Sequence, residues 1–141
     1  RHLGYIPFHP DTPVLDPIPA NAEIPLENSH LTGNQCLRLI ARYGSKATST
    51  LCAGKLKELE PIAGTPYLWG ELKHAACQEG VIHLDDLLLR RVRLGILLPR
   101  GGLDLLDQIR TYVQGDLGWN DERWNAEADA YSNLWYSSYS P

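Results

Sequence analysis

The chain has 141 residues, 43% of them hydrophobic and 21% charged, and its formal net charge is −4. That length suits one domain burying about two-thirds of the surface its unfolded chain exposes. The acidic balance disfavours a nucleic-acid binder, which needs a basic field. The sequence contains neither a membrane-length apolar run nor a signal-peptide pattern.

Prolines dominate residues 1–27. Pro7, Pro10, Pro13, Pro17, Pro19 and Pro25 remove backbone donors and hold the residues before them extended, so neither a helix nor an interior strand runs through them. Leu3, Tyr5, Ile6, Phe8, Val14, Leu15 and Ile18 are too apolar for a solvated linker. The expectation is an extended arm over 1–27, lying on its own domain or on a partner domain, followed by a helical domain over 28–141.

Thr32-Gly33-Asn34-Gln35 reads as a capping box with Thr32 as the N-cap. Cys36, Leu37, Leu39, Ile40 and Tyr43 then recur at helical period, and Gly44 suits the left-handed stop. Ser45 caps a short second helix carrying Ala47, Leu51 and Cys52, which ends at Gly54. After a polar stretch and the Pro61–Pro66 turn region, a third helix is predicted from about Tyr67 to Glu79, with Leu68, Leu72, Ala75 and Ala76 inward.

The segment His83–Gly95 sorts its charges along one short helix. Asp85 and Asp86 open it while Arg90, Arg91 and Arg93 close it, the order that complements the helix dipole. Asp86 and Arg90 stand four apart, acid before base, and Leu84, Leu87, Leu88 and Val92 form one apolar face. A fifth helix is predicted from about Leu103 to Gln114, burying Leu106, Ile109, Tyr112 and Val113. Asn120 caps the last helix, where Trp124, Ala128, Tyr131 and Trp135 line one face. No useful strand pattern appears. The prediction is all-α: a compact domain of five or six short helices with an extended proline-rich N-terminal arm.

The same residues offer little chemistry. Gly101-Gly102 follows Pro99-Arg100 rather than a strand, so it reads as a plain turn and not as a dinucleotide-binding fingerprint. His74 and Cys77 share a helix face and His83 lies six residues on, yet a zinc site needs four ligands in paired spacings. Cys36, Cys52 and Cys77 are expected as free, buried thiols in a reducing compartment. Trp119, Trp124, Tyr131 and Trp135 read as core, whereas Tyr136 and Tyr139 fall outside that face and suit a partner. Arg90, Arg91, Arg93 and Arg100 make the basic cluster. Phosphate sites favour helix N-termini, whereas these arginines sit at a C-terminal end, which favours ion pairing. Arg90, Arg91 and Arg93 are therefore the candidate interdomain or phosphate contacts. No catalytic, cofactor-binding or metal-ligating residue is assigned.

Three segments in order carry a resemblance. Gly70-Glu71-Leu72 leads to His83-Leu84-Asp85-Asp86-Leu87 and then Arg90-Arg91-Val92-Arg93-Leu94 within Tyr67–Leu98. Leu39-Ile40-Ala41-Arg42-Tyr43-Gly44-Ser45 precedes it, and Leu117-Gly118-Trp119-Asn120 with Trp124 follows. Together, over roughly Leu31 to Trp135, these resemble the C-terminal helical domain of FAD-dependent glycerol-3-phosphate dehydrogenases. The resemblance implies a parent enzyme that oxidises sn-glycerol 3-phosphate to dihydroxyacetone phosphate and passes electrons to quinone. It is expected to be cytoplasmic or peripheral at the inner face of a membrane. The family's FAD and catalytic residues lie in an earlier region, so none maps here. The chain is expected to bind no cofactor, to be inactive alone, and to support the FAD and substrate domains by packing or by oligomer formation. A start at Arg1 and the absence of methionine fit a piece of a longer polypeptide. The rival is an autonomous helical interaction module; a domain should show an apolar patch shaped for a missing body.

Overall fold

The computed structural model describes residues 31–44 and 56–140. The proline-rich arm and the helix expected after Ser45 lie outside them. The described residues form five α-helices: α1 Gly33–Tyr43, α2 Trp69–Gln78, α3 Leu94–Leu97, α4 Leu106–Leu117 and α5 Asp121–Ser138. Between them stand a 3-10 helix at Leu56–Leu59, a π-helical turn at Asp86–Arg91, and the segment Pro99–Leu105, which is kinked by left-handed backbone at Arg100, Gly101 and Gly102. Among these residues the β structure is one isolated antiparallel bridge between Pro61 and Leu68. The all-α expectation holds.

Local chemistry sets the helix ends. Thr32 Oγ1 accepts the Gln35 N–H at 3.4 Å and Gln35 Oε1 accepts the Thr32 N–H at 2.8 Å, the expected capping box. Gly44 closes α1 with φ 59° and ψ −136°, a positive φ but not the left-handed helical basin. Asn120 Oδ1 accepts the Arg123 N–H at 2.8 Å and starts α5 as expected. α4 runs three residues beyond the expected Gln114. Its end is set by Gly118 at φ 67°, ψ 24°. There the Trp119 N–H reaches the Gln114 carbonyl at 3.2 Å and the Gly118 N–H reaches Gly115 at 3.1 Å. That paired return satisfies two orphan carbonyls of the last turn.

The core lies between α2 and α4, which pack side by side. Leu72 and Ala75 meet Ile109 and Val113, all fully buried, and Trp69 stacks on Tyr112 with centroids 4.6 Å apart. Trp124, Tyr131 and Trp135 of α5 join the same cluster. Leu106 and Tyr112 are half-buried rather than buried. A smaller cluster joins Leu31, Cys36 and Leu39 to Leu68, so α1 stands on the main body through a satellite core.

Two expectations are corrected. The charge-sorted segment is a π-helical turn rather than an α-helix. The Val92 N–H bonds the Leu87 carbonyl, five residues back, at 2.9 Å. The wider turn buries Leu89 as well as the expected Leu84, Leu87, Leu88 and Val92. Cys77 is exposed while Cys36 is buried, and both are free. The reason is rotation: Cys77 lies two residues past the inward Ala75, hence on the far side of α2. Cys52 lies outside the described residues.

Candidate functional site

Two carboxylates sit on apolar helix faces, and their surroundings decide what they do. Glu71 is three residues past Leu68 and one before Leu72, both fully buried, and is itself fully buried. Its Oε2 accepts the Leu68 N–H at 2.9 Å, the acceptor half of a capping box at the start of α2. Arg38 of α1 grips both carboxylate oxygens, with Nη1 2.9 Å from Oε1. The Tyr43 hydroxyl donates to Oε1 at 3.1 Å. Burial and then the negative Glu71 push the Tyr43 phenol far above its usual range, so it stays a neutral donor. Arg42 adds a guanidinium over the Tyr43 and Tyr67 rings and donates to the Arg91 carbonyl.

Glu127 repeats the device on α5, between Trp124 and Tyr131. It accepts the Leu84 N–H at 3.0 Å, faces His83 Nδ1 at 3.1 Å, and pairs with Arg123 at 2.8 Å. His83 is thereby a surface partner of a buried acid. His74 sits edge-on to the Tyr43 ring, with centroids 5.0 Å apart, and 4.0 Å from Glu79. His74, Cys77 and His83, the trio weighed as a metal group, are not brought together as a metal-holding group among the described residues.

The arginines divide. Arg90 pairs with Asp85 at 3.1 Å and with Asp86, the expected four-residue pair. Arg100 pairs with Asp104. Arg91 and Arg93 are exposed and pair with no carboxylate among the described residues. Of the three candidates, then, Arg90 is engaged locally and the other two present their guanidinium groups to solvent. Arg93 also adopts φ 56° and ψ 22° and Arg100 adopts φ 50°, the left-handed region that non-glycine residues enter at a cost.

Asp86 shows how much this charge pattern serves the fold. Burial raises its carboxyl, but the His83 and Ile82 N–H groups and Arg90 outweigh that and hold it below the usual carboxylate range. A depressed folded-state value means that the unfolded chain protonates first. The stabilisation is therefore complete above about pH 4 and is lost as pH falls through the folded value. Asp86→Asn is expected to lower the urea midpoint at neutral pH and to converge on wild type at acid pH, below the folded value. A gap of the same size at both pH values would assign the effect to something other than ionisation.

Gly101-Gly102 does not suit a dinucleotide phosphate. It lies in a left-handed turn at Arg100, Gly101 and Gly102 rather than between a strand and a helix, and both glycines are buried. A Cβ on Gly101 would stand 2.4 Å from the Trp135 ring. The Tyr131 hydroxyl donates to the Gly101 carbonyl at 2.6 Å and Trp135 Nε1 donates to Gly95 at 3.1 Å. The aromatic tips are spent on this loop.

Sequence reading did not single out Glu71 and Glu127. The available signal was a carboxylate at a position where an apolar face calls for an apolar residue: Glu71 beside Leu68, Leu72 and Ala75, and Glu127 between Trp124 and Tyr131.

Among the described residues no helix is long and apolar enough to cross a membrane. The sequence pattern of the family described as the C-terminal domain of alpha-glycerophosphate oxidase matches residues 20–124. Glycerol-3-phosphate dehydrogenase 2 of Mycobacterium tuberculosis, like that of Mycobacterium bovis, is 39% identical over 84 residues, covering 57% of this chain and 14% of its own length. Glycerol-3-phosphate dehydrogenase of Mycobacterium leprae is 34% identical over 97 residues, covering 67% of this chain and 17% of its own length. The chain thus spans about a seventh of the curated relatives it matches and resembles that part alone. No solved structure matches.

Proposed function

Because the chain belongs to the family of the C-terminal domain of alpha-glycerophosphate oxidase, we propose that it is the non-catalytic helical domain of an FAD-dependent glycerol-3-phosphate dehydrogenase. In this reading the parent oxidises sn-glycerol 3-phosphate to dihydroxyacetone phosphate and delivers electrons to quinone, in the cytoplasm or at the inner face of a membrane. FAD and substrate belong to the longer body of the polypeptide. Residues 28–141 support that body by packing on it, Arg91 and Arg93 serve as interdomain contacts, and the arm over 1–27 connects the two.

The observation that carries the reading is the match of residues 20–124 to the family, beside relatives of which the matched part is only 14–17%. The polar clusters agree with it. Catalysis by a carboxylate needs an oxygen within reach of a reacting proton, whereas Glu71 and Glu127 are occupied by backbone N–H groups and guanidinium partners. A flavin enzyme also needs protein that positions the ring, and the buried glycine pair does not supply it. The test compares the purified 141-residue chain with the full-length parent. The chain should be colourless and show no glycerol-3-phosphate-dependent dye reduction, while the parent shows both flavin and activity. Stoichiometric flavin on the chain alone would refute the proposal.

A further inference from the structure

Around the short helix α3, exposed apolar side chains adjoin two arginines held at positive φ. α3 is a four-residue helix with Leu94 and Gly95 buried, while Ile96 and Leu97 are 61% and 47% exposed. Trp135 Nε1 bonds the Gly95 carbonyl at 3.1 Å, which brings the C-terminal end of α5 against α3. Beyond Trp135, Tyr136 and Tyr139 are 52% and 49% exposed, on the helix end that the Trp135–Gly95 bond holds against α3. Large exposed apolar side chains gathered in one place mark interaction sites more often than scattered ones do.

Arg93 and Arg100 flank α3, both in the left-handed backbone region. Glycine would sit at either position without strain. Arg100 gains an ion pair with Asp104, but Arg93 gains none among the described residues. Strain held for a side chain without an ion-pair partner among the described residues points to a use beyond them. Arg91 lies beside it, its carbonyl held by Arg42 of α1, so the two cations are set on a fixed turn.

We infer that Arg91, Arg93, Ile96, Leu97 and Tyr136 form the docking face of this domain, and that its occupant is an apolar, carboxylate-rimmed surface on the longer part of the same polypeptide. The inference rests on the proposed function above. Two observations select that occupant. The relatives extend far beyond this domain, and a body tethered to the chain is present at about millimolar effective concentration, which outcompetes a free partner. The two guanidinium groups, unpaired among the described residues, call for carboxylates opposite them.

The test is hydrogen–deuterium exchange on the full-length parent and on the 141-residue chain. A four-residue helix frays readily on its own, so docking is read at the amides of Leu94–Leu98. They should exchange at least about tenfold more slowly in the parent than in the chain. Ile96→Asp and Arg93→Glu in the parent should restore the faster rate, while Leu37→Asp, at an exposed site on α1, should not. Arg93→Gly serves as a control for misfolding. It relieves the strain, so the melting temperature of the chain should rise while protection in the parent falls. Equal exchange of Leu94–Leu98 in chain and parent overturns the inference. If protection is gained elsewhere on the domain, the packing role stands and this face is wrong; if no segment gains protection, both fall. Self-association of the chain that Ile96→Asp abolishes, with exchange in the parent unchanged, would assign the face to a second copy and likewise overturn it.

Discussion

Gly101→Ala is expected to bring the domain close to unfolding. Gly101 has φ 68° and is buried beneath Trp135. An alanine there meets two separate penalties. The left-handed backbone costs a non-glycine residue about 1–2 kcal/mol. The new methyl would also stand 2.4–2.7 Å from three atoms of the indole, and such overpacking adds about 1–3 kcal/mol. Trp135 cannot simply swing aside, because its Nε1 is bonded to the Gly95 carbonyl. The sum, about 2–5 kcal/mol, is a large share of an ordinary domain's stability of about 5–15 kcal/mol. Gly118→Ala separates the two penalties. Gly118 has a similar φ of 67° but no atom within 4 Å of the added methyl, so only the backbone penalty applies. Urea denaturation of both variants should show Gly101→Ala about twice as destabilised as Gly118→Ala; equal midpoints would mean that the Trp135 contact carries no weight.

Glu71→Ala is expected to be comparably damaging, through charge rather than volume. Glu71 is fully buried and answers Arg38, Tyr43 and the Leu68 N–H. Removing one member of a buried pair strands the other and costs about 3–5 kcal/mol. Arg38 keeps 25% of its side-chain surface exposed, so water recovers part of that loss and about 3 kcal/mol is expected. The Arg38 Nε already lacks a partner, which leaves its guanidinium little else to hold. The damage should centre on α1, whose other anchors are the small cluster of Leu31, Cys36, Leu39 and Leu68, the Arg42 bond to the Arg91 carbonyl and the Tyr43–His74 contact. Exchange in α1 should accelerate before exchange in α2 and α4. Uniform acceleration across all helices would show that Glu71 supports the whole core instead.

What could be read from the sequence was what neighbouring residues decide among themselves. The Thr32–Gln35 capping box, the Asn120 cap and the Trp124, Tyr131 and Trp135 stripe each depend on residues within a few positions. The roles of Glu71 and Glu127 were not legible, because Arg38 lies 33 positions from Glu71 and His83 lies 44 from Glu127. A carboxylate on an apolar face signals an unseen partner without saying where it is. The π-helical turn was missed because Leu84, Leu87, Leu88 and Val92 fit an α-helix equally well; only Leu89, buried out of phase, departs from that period. Arg90, Arg91 and Arg93 were found as a group by charge, but their division was not. It depends on which carboxylates reach them and on a backbone strain that periodicity does not report.

On the proposed function, this domain holds its parent enzyme together and contributes no group to the reaction. The most direct measurement is steady-state kinetics of the full-length parent carrying Glu71→Gln or Glu127→Gln, with rates expressed per bound flavin. If the two carboxylates serve the fold alone, each variant loses thermal stability while kcat and KM per flavin stay within about twofold of wild type. A folded, flavin-loaded variant whose kcat falls by about a hundredfold or more, the scale of a lost general acid or base, would contradict the claim.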